Sequence, residues 1–359
     1  MKATIKGVRI AGIQAGVPTP RHSFVETPDP FTAEEAQKLY GSIGVYERRI
    51  APPRLLASDL CVAAAERLLE GLGWARDSID GVILVTQGPD QLLPATACLI
   101  QKRLGLPTTC AAFDVNLGCS GYVYGVWLAS QLLSGSESQR VLVLAGDISS
   151  RLLHPEDRSV RPLFGDAGTA TALEKDPDAP PMHIVVGTDG GGARHISIKA
   201  GGLRHNLVPA LTRDAVENET LYKEAHLHLN GAEVFSFTLK RVPPLLADIL
   251  AYSGKTLDDF DTVVMHQANQ FILEHLRKKT GVPADKYLVD MHDFGNTSSA
   301  SIPLAICHKL AGAVAEQHQQ LLMVGFGVGW SWGALSAEVG PIVRPGIVEV
   351  PDDFPVLGL

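Results

Sequence analysis

The chain has 359 residues, 45% apolar and 19% charged, with a formal net charge of −8. That length exceeds what one hydrophobic core usually fills, so two packed halves are expected. The acidic balance, with no run of five like charges, argues against nucleic acid or a membrane surface as partner, and no apolar stretch reaches the ~20 residues of a bilayer span. The segment Met1 to Gly7 alternates like a strand and lacks the apolar centre of an export signal, so a cytoplasmic location is expected. The cysteines (Cys61, Cys98, Cys110, Cys119 and Cys307) are odd in number and contain no Cys-x-x-Cys pair. That pattern speaks against a disulfide framework or a zinc site.

In chain order, strand-like runs alternate with helical ones, which predicts α/β layering. His22 to Ala33 has the look of a lid. Val82 to Thr86 reads as a strand, Ala95 to Leu104 as a helix, and Phe113 to Asn116 as a strand. A helix then runs from Cys119 to about Leu133, followed by strands Val141 to Gly146 and Gly168 to Leu173. The polar, proline-rich Glu174 to Pro181 marks a boundary, giving expected halves 1–178 and 179–359. Asp189 to Ala225 has no clear period and reads as a long surface excursion; loops of that length are uncommon unless functional. It leads into a helix starting near Gly231.

From there the order repeats. Val263 to Met265 is strand-like, Gln270 to Lys279 helical, and Leu288 to Asp290 extended. A helix is expected from about Thr297 to Leu310, then strands Leu321 to Gly327 and Trp332 to Val339. Gln87 and His266 follow equivalent strands, and Cys119 and Asn296 sit at equivalent strand-to-helix turns. The expected fold is therefore a duplicated α/β structure, its halves related by a pseudo-twofold axis, with the equivalent turns facing one cleft.

Three residues at those turns carry chemistry. Cys119, in Gly118-Cys119-Ser120-Gly121, precedes an apolar helix whose free N–H groups and dipole favour the nucleophilic thiolate. A buried cysteine beside a tight turn fits the local context equally. His266 follows a strand directly, at the edge where open α/β sheets gather their functional groups, and can donate a hydrogen bond near neutral pH; capping of the next helix is the plainer reading. Asn296 is also a favoured N-cap type, and its match in position to Cys119 singles it out. The turn Gly325-Phe326-Gly327-Val328-Gly329 has the wrong spacing for a dinucleotide fingerprint and suits a backbone N–H offered to an oxyanion. Together these make an acyl-transfer site.

The chain resembles the β-ketoacyl-ACP synthase III family of the thiolase superfamily. The resemblance runs through Gly44 to Ile50, Asp114 to Tyr122, Leu163 to Gly168, Gly231 to Phe235, His266 to Asn269, Gly295 to Pro303 and Gly325 to Gly333. It implies a thiolase-like fold and a cytoplasmic homodimer in which a loop of each subunit closes the other's acyl pocket. It also implies a decarboxylative Claisen condensation of an acyl thioester with malonyl-ACP. Cys119 would be S-acylated, and His266 and Asn296 would stabilise the enolate. The N–H groups of Cys119 and Val328 would form the oxyanion hole, with no metal or cofactor. Substrate contacts are expected from Arg158, Phe235, Asn269, Leu93 and Phe326.

The chain departs from the family's CoA-binding members at several positions. Lys38 and Ser42 stand where those carry Trp and Arg, Phe271 replaces an Arg, and Leu93 replaces a Phe. An ACP-borne donor, a roomier acyl pocket and a specialised pathway are the expectations that follow. Alternatives are a thiolase-fold enzyme with an oxygen, nitrogen or other thioester acceptor, a type III polyketide synthase, a papain-like protease with the same Cys, His, Asn order, and a scaffold without chemistry. A degradative thiolase would need a second cysteine near Gly325 to Gly333, and Cys307 falls in the preceding helix instead.

Overall fold

The alternation of side chains along each strand decides the layering. Ile83 and Val85 join one core cluster while Val82 and Leu84 join another, so the sheet is covered on both faces, as near-continuous apolar strands require. The structure, a computed structural model, describes residues 1–26, 31–205 and 219–356.

Its strands are β1 (Lys2–Ile5), β2 (Val8–Pro18), β3 (Arg21–Ser23), β4 (Glu47–Arg49), β5 (Gly81–Val85), β6 (Ala111–Val115), β7 (Arg140–Asp147), β8 (Ala167–Lys175), β9 (Met182–Thr188), β10 (Ile196–Ser197), β11 (His228–Leu229), β12 (Thr262–Met265), β13 (Tyr287–Leu288), β14 (Gln319–Gly327), β15 (Ser331–Val339) and β16 (Ile347–Val350). The helices are α1 (Ala33–Ile43), α2 (Ala57–Leu72), α3 (Thr96–Arg103), α4 (Gly121–Gly135), α5 (Glu219–Glu224), α6 (Gly231–Ser253), α7 (Gln270–Thr280), α8 (Ser301–Lys309) and α9 (Ala311–Glu316).

Two six-stranded sheets carry the duplication. Their orders are β16-β2-β8-β7-β5-β6 and β1-β9-β15-β14-β12-β13, so β2-β8-β7-β5-β6 in one answers β9-β15-β14-β12-β13 in the other. Helices α4 and α8 lie between the sheets. Tyr122, Val123 and Val126 of α4 and Ile302, Leu304 and Ile306 of α8 share a cluster with the inner strand residues Val143 and Met323. Residues of α2 and α3 cover the outer face of the first sheet, and residues of α6 and α7 that of the second. The fold is thiolase-like.

The edges cross the boundary expected at 178/179: β1 pairs antiparallel with β9 of the second sheet, and β16 pairs parallel with β2 of the first. The long segment after Asp189 is mostly exposed, as its reading as a surface excursion expects, yet part of it reaches inward. Its β10 pairs with β11, and Ile196, Leu227 and Leu229 from that ribbon line the central cavity. Apolar residues too few to show a period are recruited there by tertiary contact. Residues 206–218 of it lie outside the described residues. So do residues 27–30 of the expected lid, whose start is instead β3, paired with β4.

Candidate active site

Strands β5, β6 and β7 run parallel, as do β12, β13 and β14, so their carboxyl ends gather on one edge of each sheet. Gln87, Cys119, His266, Asn296, Phe326 and Val328 follow or end these strands, and all six line one cavity. The equivalent turns of the duplication therefore meet.

Cys119 sits just ahead of Ser120, the residue before α4. Its thiol lies against the end of β14, where a Cβ on Gly327 would come within 2.7 Å of Sγ, so only glycine permits the approach. The backbone groups of Val328 and of Cys119 itself, and the Ser298 hydroxyl, lie where they favour the thiolate. Ser331 holds the Val328 turn: its Oγ donates to the Val328 carbonyl (2.7 Å) and meets Ser120 Oγ at 2.6 Å. Burial nonetheless pushes the thiol up to about 11. The helix start was expected to favour the thiolate; desolvation of the charged form acts against that and outweighs the hydrogen bonds to the sulfur.

His266 follows β12, and its N–H donates to the Val324 carbonyl (2.7 Å). Its Nδ1 meets Ser301 Oγ at 2.7 Å, while that oxygen accepts from the Gln267 N–H at 3.4 Å. With the ring proton assigned to Nε2, Ser301 donates to Nδ1. The side chain is buried, which holds the imidazole down to about 3 and keeps it neutral.

Asn296 is clamped by the first half: its N–H donates to the Leu163 carbonyl (2.9 Å), and its own carbonyl accepts from the Gly165 N–H (3.1 Å). Its Oδ1 accepts from the Ser298 N–H (2.9 Å), and Nδ2 donates to the Ala268 carbonyl (3.3 Å). One amide hydrogen is left for the cavity. The α-helix expected from Thr297 begins later, at Ser301, behind the 3₁₀ turn Ser298–Ala300. Asn296 thus stands two residues ahead of that turn and accepts from its first N–H, that of Ser298.

The expected substrate contacts divide. Asn269 and Phe326 line the cavity. Asn269 is also committed to capping α7, accepting from the Ile272 N–H at 2.7 Å, and Phe326 stands edge-on to His266. Arg158 lies apart, in an open depression with Phe31, Glu35 and Lys38; its guanidinium pairs with Glu35 at 2.8 Å and covers the Phe31 ring. Phe235 packs against Phe271 and His275 rather than the cavity. Leu93 is 85% exposed and does not reach the cavity of its own chain. Cys307 is buried in α8.

Sequence reasoning missed Gln87 and Ser298 as cavity residues, together with the apolar wall of Leu152, Leu163, Leu227 and Leu229. A signal for Gln87 was present in its equivalence to His266. Ser298 had none, because a serine within a Thr-Ser-Ser-Ala-Ser run looks like any helix-start residue.

Two sequence profiles match the chain. The 3-oxoacyl-[acyl-carrier-protein (ACP)] synthase III profile covers residues 113–190, and its C-terminal counterpart covers residues 250–339. The β-ketoacyl-[acyl-carrier-protein] synthase III of Caldanaerobacter subterraneus is 34% identical over 293 residues, 81% of this chain and 86% of the relative. The chain belongs to the β-ketoacyl-ACP synthase III family. The enzyme of that name from Rhodopirellula baltica is 32% identical over 350 residues, 92% of this chain and 97% of its own. Among solved structures, a 3-oxoacyl-(acyl-carrier protein) synthase from Burkholderia xenovorans LB400 superposes with a TM-score of 0.91 at 40% identity, covering 98% of this chain and 99% of its own. The priming β-ketosynthase of the R1128 polyketide pathway superposes at 0.81 with 27% identity, covering 94% and 97%.

Proposed function

We propose that the protein is an acyltransferase that loads an acyl group onto Cys119 and condenses it decarboxylatively with malonyl-ACP, releasing a β-ketoacyl product. Residues 1–178 supply the thiol, and residues 179–359 supply His266 and Asn296. The observation that carries this reading is the meeting of Cys119, His266 and Asn296 in one cavity with apolar walls.

The sulfur attacks the donor's carbonyl carbon, the N–H groups of Cys119 and Val328 receive the oxyanion, and its collapse breaks the donor's carbon–sulfur bond and releases the carrier thiol; each donor of this kind is worth about 10²–10³ in rate. Malonyl thioester then loses CO₂. The enolate oxygen accepts from His266 Nε2 and from the free Asn296 amide hydrogen. Because His266 is neutral, it stabilises the enolate as a hydrogen-bond donor and not as a charge. The carbanion attacks the acyl-cysteine and frees the thiol. These steps draw on side chains, backbone and the two thioesters alone. An acyl carrier protein as partner, a cytoplasmic location and a homodimer that brings Leu93 to the partner's cavity belong to the same proposal.

A second reading, a specialised pathway with an ACP-borne donor, is favoured by the Arg158–Glu35 pair, which already neutralises one of the two cations lining the depression beside α1. The test is intact-protein mass spectrometry with acyl-CoA and acyl-ACP donors, comparing wild type with Cys119→Ala. The expected result is a donor-specific mass gain that the variant lacks, and no adduct from any donor would overturn the reading.

A further inference from the structure

The hairpin of β3 and β4 carries arginine on both faces. Across it His22 stands opposite Arg48, and Arg21 opposite Arg49, so the two pairs point to opposite sides. One side is neutralised: Arg49 pairs with Glu349 at 2.8 Å, and Arg21 reaches Glu47 at 2.9 Å and Glu349 at 3.3 Å. On the other side, no carboxylate comes within ion-pair distance of Arg48 among the described residues.

That side chain is 5% exposed, as deeply buried as Arg49 at 4%, and a buried charge without a counter-charge is unfavourable. Its Nη1 donates to the carbonyls of Arg161 and Phe164, while its Nε is buried with no hydrogen-bond partner. The Phe24 ring centre lies 4.3 Å from its guanidinium carbon. Burial, opposed in part by Asp166, holds Arg48 down to about 10, which leaves it charged at neutral pH.

Two more guanidinium groups share its surroundings. Arg48, Arg151, Arg161, His22 and Ser150 line one depression. Arg151 is anchored through Nη2 to the Pro52 and Leu55 carbonyls (2.5 and 2.6 Å), and Arg161 through Nη1 to the Pro155 carbonyl (2.9 Å). Neither has an ion-pair partner among the described residues. Each of the three arginines is thus held through one terminal nitrogen, and the other keeps its donors. The acid that acts on Arg48 and Arg151 is Asp166. Its oxygens are taken by the Ala51 N–H (2.8 Å) and by the N–H and hydroxyl of Ser150 (3.0 and 2.6 Å). Three guanidinium charges against that one carboxylate leave two in excess. The excess registers at His22, where burial and then the charges of Arg48 and Arg161 hold the imidazole below its ordinary value.

We infer that this depression is a binding site for a phosphate-type dianion, either free phosphate or a phosphomonoester. The charge excess matches a dianion. Three guanidinium forks also offer more donors than the two oxygens of a carboxylate accept, whereas a phosphate group presents at least three oxygens. The site has no lining residue in common with the catalytic cavity and does not depend on the acyl-cysteine reading.

The test is thermal unfolding of the full chain titrated with sodium phosphate, glycerol 3-phosphate or acetate, at an ionic strength held constant with chloride. Wild type is compared with Arg161→Gln and with Arg54→Gln, a control outside the depression. Wild type and the control are expected to show a saturable rise in melting temperature with phosphate or its ester, and none with acetate. Loss of one charged donor in Arg161→Gln should weaken that binding by about 10–100-fold. A response to phosphate alone marks the free ion as ligand, and a response to glycerol 3-phosphate marks a phosphomonoester; both support the site. A second readout is the His22 ring resonance in histidine-labelled protein, followed from pH 5 to 8. Bound phosphate should move its titration to higher pH, because a nearby anion favours the imidazolium. If Arg161→Gln does not fold, the His22 titration in wild type decides alone. No saturable rise, an equal rise with acetate, undiminished binding in Arg161→Gln or an unmoved His22 titration overturns the site. None of these outcomes bears on acylation of Cys119.

Discussion

His266 shows how burial sets a residue's role. In the unfolded chain an imidazole takes up a proton near 6.5, while the folded protein withholds it until about 3. Between those values the unfolded state binds more protons, so stability rises with pH and is lost on acidification. The slope should be at most about 1.4 kcal/mol per pH unit. Urea unfolding between pH 4 and 7 should show it in wild type and not in His266→Asn. The same desolvation that keeps this ring neutral holds Cys119 protonated. Neither shift is visible in the sequence, where both residues look merely like turn residues after strands, because desolvation depends on what packs around a group.

At the level of the element, capping ties local stability to the site. Asn269 precedes the apolar period of α7 and accepts from the Ile272 N–H, while its side chain also faces the cavity. Asn269→Ala should lower stability by about 1 kcal/mol through the lost cap, and Asn269→Asp should restore it; thermal unfolding of the pair checks this. A cap of this kind is legible in sequence, as is the strand, turn and helix order around it. The true start of α8 was not, because Asn296, Ser298 and Ser301 are each good starts. The clamp on Asn296 from Leu163 and Gly165 selects Ser301.

At the scale of the molecule, the terminal strands bind the two halves by exchange. Chain from the amino end completes the second sheet and chain from the carboxyl end completes the first. Ile5, 3% exposed on β1, packs into the central cluster. Ile5→Ala should therefore cost about 2–5 kcal/mol, although the residue lies in the first few of the chain; a urea titration would detect it. By itself the sequence determined the duplicated α/β order, the equivalence of Cys119 with Asn296, and the acyl-transfer character of the cleft. Periodicity and turn chemistry are local, and two copies of one local pattern imply two copies of one fold. The tertiary structure alone decided which strands crossed between the sheets, that Arg158 is tied to Glu35, that Ile196 of the segment after Asp189 walls the cavity, and that Ser298 joins it. Each of these depends on residues distant in the chain that only packing brings together.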